Sequence, residues 1–302
     1  MRRIFSNMIL LLTAVGCTLD QKQEYDPDVQ LQFLPVMQIP SKALIENYPD
    51  GQSFAVSAWA LDRNFEWNNG VADAEVYVCD AEVSVNNAGK WSISEDTLWP
   101  SRQQRLTVIG YTPIEAFTEC NSEAGACCTY DMLTSQVDLL YTEPQIDLDK
   151  VECGGTVTMP FRHALAQIDF EIKNRVGKNE EIIVKSLKID AVKSKGSFCS
   201  LPSPVWKVGD EEMELLFFEG EKYTKNYPLG IGNTWNVIPQ VLATNVTIEY
   251  EYRTANDTGF TQTMRTCKLK TPLESGRHYT YTLTVGIDEV QFLLEIIEDR
   301  II

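Results

Sequence analysis

The feature that most restricts this chain is a period of two, repeated in short runs along its length. Val29, Leu31, Phe33, Met37 and Ile39 are apolar, and Gln30, Gln32 and Gln38 lie between them. Side chains alternate across a strand, so this spacing puts the apolar set on one face of a half-buried strand. Phe54, Val56, Ala58 and Ala60 repeat the pattern against Ser53 and Ser57. Strands are also predicted over 75–79, 82–85, 106–111, 136–141, 182–189, 214–218, 235–238, 246–252 and 279–285. Polar turns separate them, among them Asn68–Gly70, Asn86–Gly89 and Asn256–Gly259. The last is placed as a hairpin loop between 246–252 and 260–269.

No stretch keeps helical periodicity for twelve residues. An all-β protein of sandwich type is therefore expected. About fourteen strands exceed what one compact sandwich usually holds. Two domains are predicted, 29–150 and 151–302, divided in the acidic, weakly patterned segment 142–156.

The N-terminus carries a different signal. Arg2 and Arg3 precede a short apolar run from Met8 to Val15, too short to span a bilayer as a helix. Ala14-Val15-Gly16-Cys17 resembles a bacterial lipobox, which makes 1–16 a lipoprotein signal peptide and Cys17 the lipidated residue. Several acyl chains on one cysteine give stable anchoring. Residues 17–28 are polar and acidic and read as a tether.

Charge and motif content narrow the function. There are 26 Lys and Arg against 43 Asp and Glu, a net charge of −17. Nucleic-acid binding needs a basic stripe that this balance disfavours. Two histidines, His163 and His278, cannot supply a histidine-rich metal site or a histidine relay. No nucleophile elbow, zinc-protease, phosphate-loop or calcium-loop motif is present, and neither a cofactor nor an enzymatic activity is expected. Beyond Cys17 there are seven cysteines, and Cys120, Cys127 and Cys128 share the small-residue loop ECNSEAGACCTYD. They are placed as a local disulfide ring, with structural use favoured over catalysis.

Residues 157–173, VTMPFRHALAQIDFEIK, hold a break in phase. Val157, Met159, Phe161 and His163 share one parity, whereas Ala166, Ile168, Phe170 and Ile172 share the other. A one-residue slip turns the core side to the opposite face, so a bend or a change of sheet is expected near Ala164–Ala166. His163 sits at that break and is read as a packed histidine bonded to backbone.

With FRHALAQIDFEI at 161–172, the chain resembles the fimbrillin family of Bacteroidales, the fimbrillin-A-like and Mfa-like surface lipoproteins. FAVSAWALD at 54–62 resembles an early strand of that family. Trp91 to Pro100 followed by RLTVIGYTP resembles its aromatic strand pair. QVDLLY at 136–141, ESGRHYTYTLTV at 274–285 and VQFLLEIIED at 290–299 resemble later strands. Gly110 and the cysteine cluster depart from the usual pattern.

The resemblance implies two tandem transthyretin-like Greek-key β-sandwich domains after a lipoprotein signal peptide. It implies a fimbrial subunit at the outer membrane and cell surface, serving cell adhesion as stalk, tip or anchor. Other subunits would be partners, through removal of a first strand and its replacement by a neighbour's. Here the exchangeable strand is Val29, Leu31, Phe33, Met37 and Ile39. The cut is placed at Lys42, with Arg63 the alternative. Val290, Phe292, Leu294 and Ile296 alternate as a donor strand, and an ordinary last strand in its own domain is the other reading. A non-polymerising surface lipoprotein that binds a glycan or host protein, with loop tryptophans such as Trp67 as a stacking platform, is the alternative function.

Overall fold

The computed structural model describes residues 29–38, 45–49, 51–93, 97–177 and 179–297. The signal segment 1–16, the tether 17–28, Cys17, Ile39 and Lys42 lie outside the described residues. The fold is built almost entirely of β-strands, and its longest described helix is the single turn Trp67–Gly70. None of the described helices is long and apolar enough to cross a membrane.

A nine-stranded sheet holds the first part of the chain. Its path runs through Gln145–Leu148, Gln104–Thr112, Phe54–Asp62, Glu75–Val85, Trp91–Ile93, Gln32–Gln38, Thr156–His163 and Leu140–Thr142. Leu140–Thr142 also pairs back onto Gln104–Thr112, so the ladder returns on itself around an apolar interior. Leu31, Phe33, Phe54, Val56, Leu106, Val108, Val157, Met159 and Phe161 fill that interior.

The later part packs two sheets face to face. One comprises Glu212–Tyr223, Glu181–Lys193, Val241–Arg253 and Thr261–Pro272 in that order. The other runs Leu229–Gly230, Ala166–Asn174, His278–Val285 and Val290–Ile297, with Trp235–Val237 beside Ala166–Asn174. Phe170, Ile172, Leu187, Phe217, Ile248, Tyr250 and Tyr281 lie in the core they share. Val241–Arg253 pairs with Thr261–Pro272 through twelve positions, from Val241 with Pro272 to Tyr252 with Thr261, and the hairpin closes at the expected Asn256–Gly259 loop.

A fourth sheet ties the two parts together. Phe117–Asn121 and Gly125–Asp131 come from the first, and Lys195–Cys199 and Val205–Val208 from the second. The segment expected as a disulfide ring is therefore a strand hairpin in register with a distant strand. The phase break also has its expected outcome. Thr156–His163 ends in the first sheet, Ala164 and Leu165 are buried in a bend, and Ala166–Asn174 begins in another sheet.

The pairing reaches across the division expected at 150/151. Thr156–His163 belongs to the sheet that contains Gln32–Gln38, and the fourth sheet draws on both sides. Parallel pairing over more than a hundred residues leaves no local mark in the sequence.

Candidate functional site at the first strand

Gln32–Gln38 forms a strand because Leu31, Phe33 and Met37 alternate toward the interior, where all three are buried. Leu34 points the other way and is half exposed. Burial of each such side chain is worth about 1.5–3 kcal/mol. Together they rival the entire net stability of a domain, about 5–15 kcal/mol. A sheet without this strand is therefore short of both apolar cover and hydrogen-bond partners.

The seat has one long wall and several short ones. Thr156–His163 pairs parallel with the first strand over six positions, from Gln32 with Thr156 to Met37 with Phe161. Trp91–Ile93 pairs antiparallel at Gln32 and Phe33, and Ile45–Asn47 pairs at Val36 to Gln38. Before the strand, Leu31 N donates to Thr97 O at 2.8 Å and Trp99 N donates to Val29 O at 3.0 Å. The Trp99 indole N–H closes this end on Gly155 O, also 3.0 Å away.

The floor is aromatic. Phe161 is fully buried, with its ring 5.0 Å from that of Phe54 and 4.9 Å from that of Tyr48. Phe33 meets Phe54 edge to face at 6.4 Å. Burial holds the Tyr48 phenol above its ordinary range. Gly110 lies under this layer because a Cβ there would stand 2.8 Å from Met159 Cε and 3.0 Å from Phe161 Cζ. At the far end Arg162 donates to Gln38 Oε1 at 2.9 Å and pairs with Glu143.

The other expected site residues are distributed elsewhere. Val290–Ile297 pairs antiparallel with His278–Val285 through eight positions and is last in its sheet. Val290 packs partly buried on the core, and the side chains of Phe292, Leu294 and Ile296 lie outside the described residues. The expected donor strand is thus an edge strand already paired on one side.

The cysteine expectation is corrected. Cys127 is disulfide-bonded to Cys199, 72 residues away, while Cys120 and Cys128 are free thiols. Cys127 stands opposite Cys199 in the antiparallel register, whereas Cys128 points to the other face and into the core. Burial pushes the Cys128 thiol up to about 12, which keeps it protonated and inert.

Two further expectations change. Trp67 is buried against Trp59, with ring centroids 5.7 Å apart, so it offers no open stacking face. Trp99, Trp206 and Trp235 all use their indole N–H groups on backbone carbonyls of the fold. His163 is buried as expected, but Nδ1 lies 2.5 Å from Asp138 Oδ2 instead of meeting backbone. Trp99, Tyr48 and the partner strand 156–161 were missed as parts of the first-strand seat. Their apolar alternation and aromatic content were visible, but their convergence was not.

The fold and the seat define an all-β protein whose first strand completes a sheet from outside the local chain order. The fimbrillin-like family model matches residues 42–298, and the chain belongs to that family. Among solved structures it is similar to a fimbrial protein from Bacteroides vulgatus ATCC 8482, at 16% identity and a TM-score of 0.61. That match covers 80% of this chain and 92% of the other. A candidate cell adhesion protein from Bacteroides ovatus ATCC 8483 is 15% identical over 93% of this chain and 99% of that one, with a TM-score of 0.57. Another from Bacteroides uniformis ATCC 8492 is 13% identical over 91% and 99%, with a TM-score of 0.56. These likenesses concern the fold. No curated protein matches the chain.

Proposed function

We propose that the chain is a fimbrial subunit of the cell surface that serves adhesion and joins other subunits by strand exchange. The observation that carries this reading is the seat of Gln32–Gln38, a buried strand held mainly by a parallel partner far away in sequence. Membership of the fimbrillin-like family supports the same role.

In this reading the precursor is exported with residues 1–16 as a signal and anchored in the outer membrane through lipid on Cys17. Two sandwich units follow, divided at the crossover of Ala164 and Leu165. A trypsin-like protease cuts after Lys42 and frees the first strand. The vacated seat presents Val157, Met159 and Phe161 together with unpaired backbone groups of 156–161. An incoming strand of the same alternation restores both the cover and the hydrogen bonds. Val290–Ile297, on a sheet edge, is the donor in this scheme. Once incorporated, the subunit would display its remaining surface to host glycans or proteins.

The test uses mature protein carrying Cys17→Ser, treated with limiting trypsin-like protease. Mass spectrometry locates the cut, and unheated gel electrophoresis resolves multimers. A cut after Lys42 that produces a ladder is the expected result. A cut product that stays monomeric with its first strand retained would overturn the exchange step.

A further inference from the structure

A recess lies where the first sheet meets the tying sheet. Its volume is about 530 Å³, within the range of sites that take small ligands. One wall is formed by Glu143, Pro144 and Ile146, just after Leu140–Thr142, together with the buried Trp67. The other wall belongs to the tying sheet. It holds Ser122 and Glu123, in the turn between Phe117–Asn121 and Gly125–Asp131, and the connection 200–204 between Lys195–Cys199 and Val205–Val208.

The tying-sheet wall is held from several sides. The Cys127–Cys199 bond ends one residue before Ser200. Ser200 N donates to Ala126 O at 3.1 Å, and Leu201 N donates to Ala124 O at 3.0 Å. A Cβ on Gly125 would stand 2.2 Å from Ser200 Oγ, so the two segments pack without room to spare. Asn121 Oδ1 accepts from Glu123 N and Ala124 N and fixes the turn that carries Glu123. On the opposite wall Trp67 N donates to Asp147 Oδ1 at 3.1 Å. A wall already ordered loses little freedom when a ligand binds, which favours affinity.

The lining selects by charge and by hydrogen bonding. Glu123 and Glu143 bring two carboxylates, and no lysine, arginine or histidine is among the described residues that line the recess. Glu143 is paired with Arg162, whereas the Glu123 carboxylate has no bonded partner among the described residues. Ser200 is almost fully buried, and its Oγ accepts from Ala126 N at 3.0 Å. None of the described residues accepts the Ser200 proton, which leaves a donor for an acceptor placed in the recess. Pro144, Ile146, Pro202 and Pro204 supply apolar contact. A cation on an apolar stem, with a carbonyl beside it, meets all three demands. The net charge of −17 draws such a ligand in.

We propose that this recess binds an arginine side chain of a partner peptide. The stem lies along the prolines and Ile146, the guanidinium meets the unengaged Glu123 beside Glu143, and a peptide carbonyl accepts from Ser200 Oγ. Arginine suits the recess better than lysine, because its planar fork offers five donors and is more weakly hydrated. The recess is separate from the first-strand seat and needs neither cleavage nor strand exchange.

The experiment titrates the intact, uncut protein with acetyl-Leu-Arg-Leu amide at low salt and follows backbone amide shifts by NMR. Amides of 122–125, 200, 201 and 203 should move together and saturate as one-to-one binding. The same peptide with citrulline for arginine should bind about tenfold more weakly, as should the wild-type peptide to Glu123→Gln, since each change removes a charged hydrogen bond. Ser203→Tyr, at an exposed position of the lining, should block the recess. Glu289→Gln removes the same charge from the exposed turn before Val290–Ile297 and should leave the affinity unchanged. Absence of saturable shifts at 122–125 and 200–203 up to millimolar peptide would overturn the proposal. Equal binding of the citrulline peptide would also overturn it, and so would equal weakening by Glu123→Gln and Glu289→Gln.

Discussion

Two strands of this molecule bury apolar faces of similar kind and are held in opposite ways. Val241–Arg253 pairs with Thr261–Pro272 through twelve consecutive positions, closed by a short turn segment. Gln32–Gln38 has six parallel positions with a strand more than a hundred residues away, and only two or three with each antiparallel neighbour. The hairpin re-forms wherever its own turn goes, because closing a short loop costs little entropy. The first strand has no such tether to its main partner. A strand of the same pattern from another molecule could occupy its seat without breaking any local hairpin. The comparison separates what must stay intact from what the proposed exchange would replace.

The sharpest way to break it is Phe161→Ala. Phe161 is fully buried beneath the first strand, and the loss should be about 3–5 kcal/mol in urea unfolding. Amides of 32–37 should exchange faster in this variant, whereas Met264→Ala on the exposed hairpin surface should stay within about 0.5 kcal/mol. If both variants loosened the hairpin equally, the contrast between the regions would fail. Removal of the Cys127–Cys199 bond by paired alanine substitution should cost about 2–5 kcal/mol, seen as a lower denaturation midpoint. Its effect should fall on the tying sheet and spare the hairpin register.

Gly110→Val sharpens the comparison by crowding the floor of the seat. Met159 can move its terminal methyl, but Phe161 is held by Tyr48 and Phe54, so about 1–3 kcal/mol should be lost in the same unfolding assay. Trp99→Phe keeps most of the ring and deletes the bond to Gly155 O, with an expected loss of about 1 kcal/mol.

The smallest effect concerns acid. Burial pushes the Asp169 carboxyl up, but hydrogen bonds from His278 and Thr280 outweigh it and hold the group below its ordinary value of 3.8. A depressed carboxylate stabilises the fold above its unfolded pKa, and that contribution is lost as pH falls through the folded one. Asp169→Asn should therefore narrow the difference between denaturation midpoints above and below about pH 4.

Much of this architecture was legible as strands, and little of it as partners. Val246–Tyr252 and the turn at Asn256–Gly259 announced their hairpin because pattern and turn chemistry agreed over adjacent residues. The slip in phase at Ala164–Ala166 disclosed a change of sheet, since parity in a strand has only two values. Glu75–Val85 was split in two because the bulge at Cys79 and Asp80 interrupts the alternation. Residues 120–128 read as a loop because glycine, alanine and serine dilute the strand signal. Their register with Lys195–Cys199, and hence the partner of Cys127, depends on a contact 72 residues away. The first strand was recognised by its own residues, while its seat required Thr156–Phe161, Trp99 and Tyr48 to converge in space.

Hydrogen exchange on the intact, protease-cut and multimeric forms tests most directly whether the first strand is exchangeable. After the cut, amides of 91–93 and 156–161 should lose protection, then regain it in the multimer. Those of 241–253 and 261–272 should stay protected throughout. Unchanged protection of 156–161 in a cut, monomeric protein would mean that the seat does not exchange its strand.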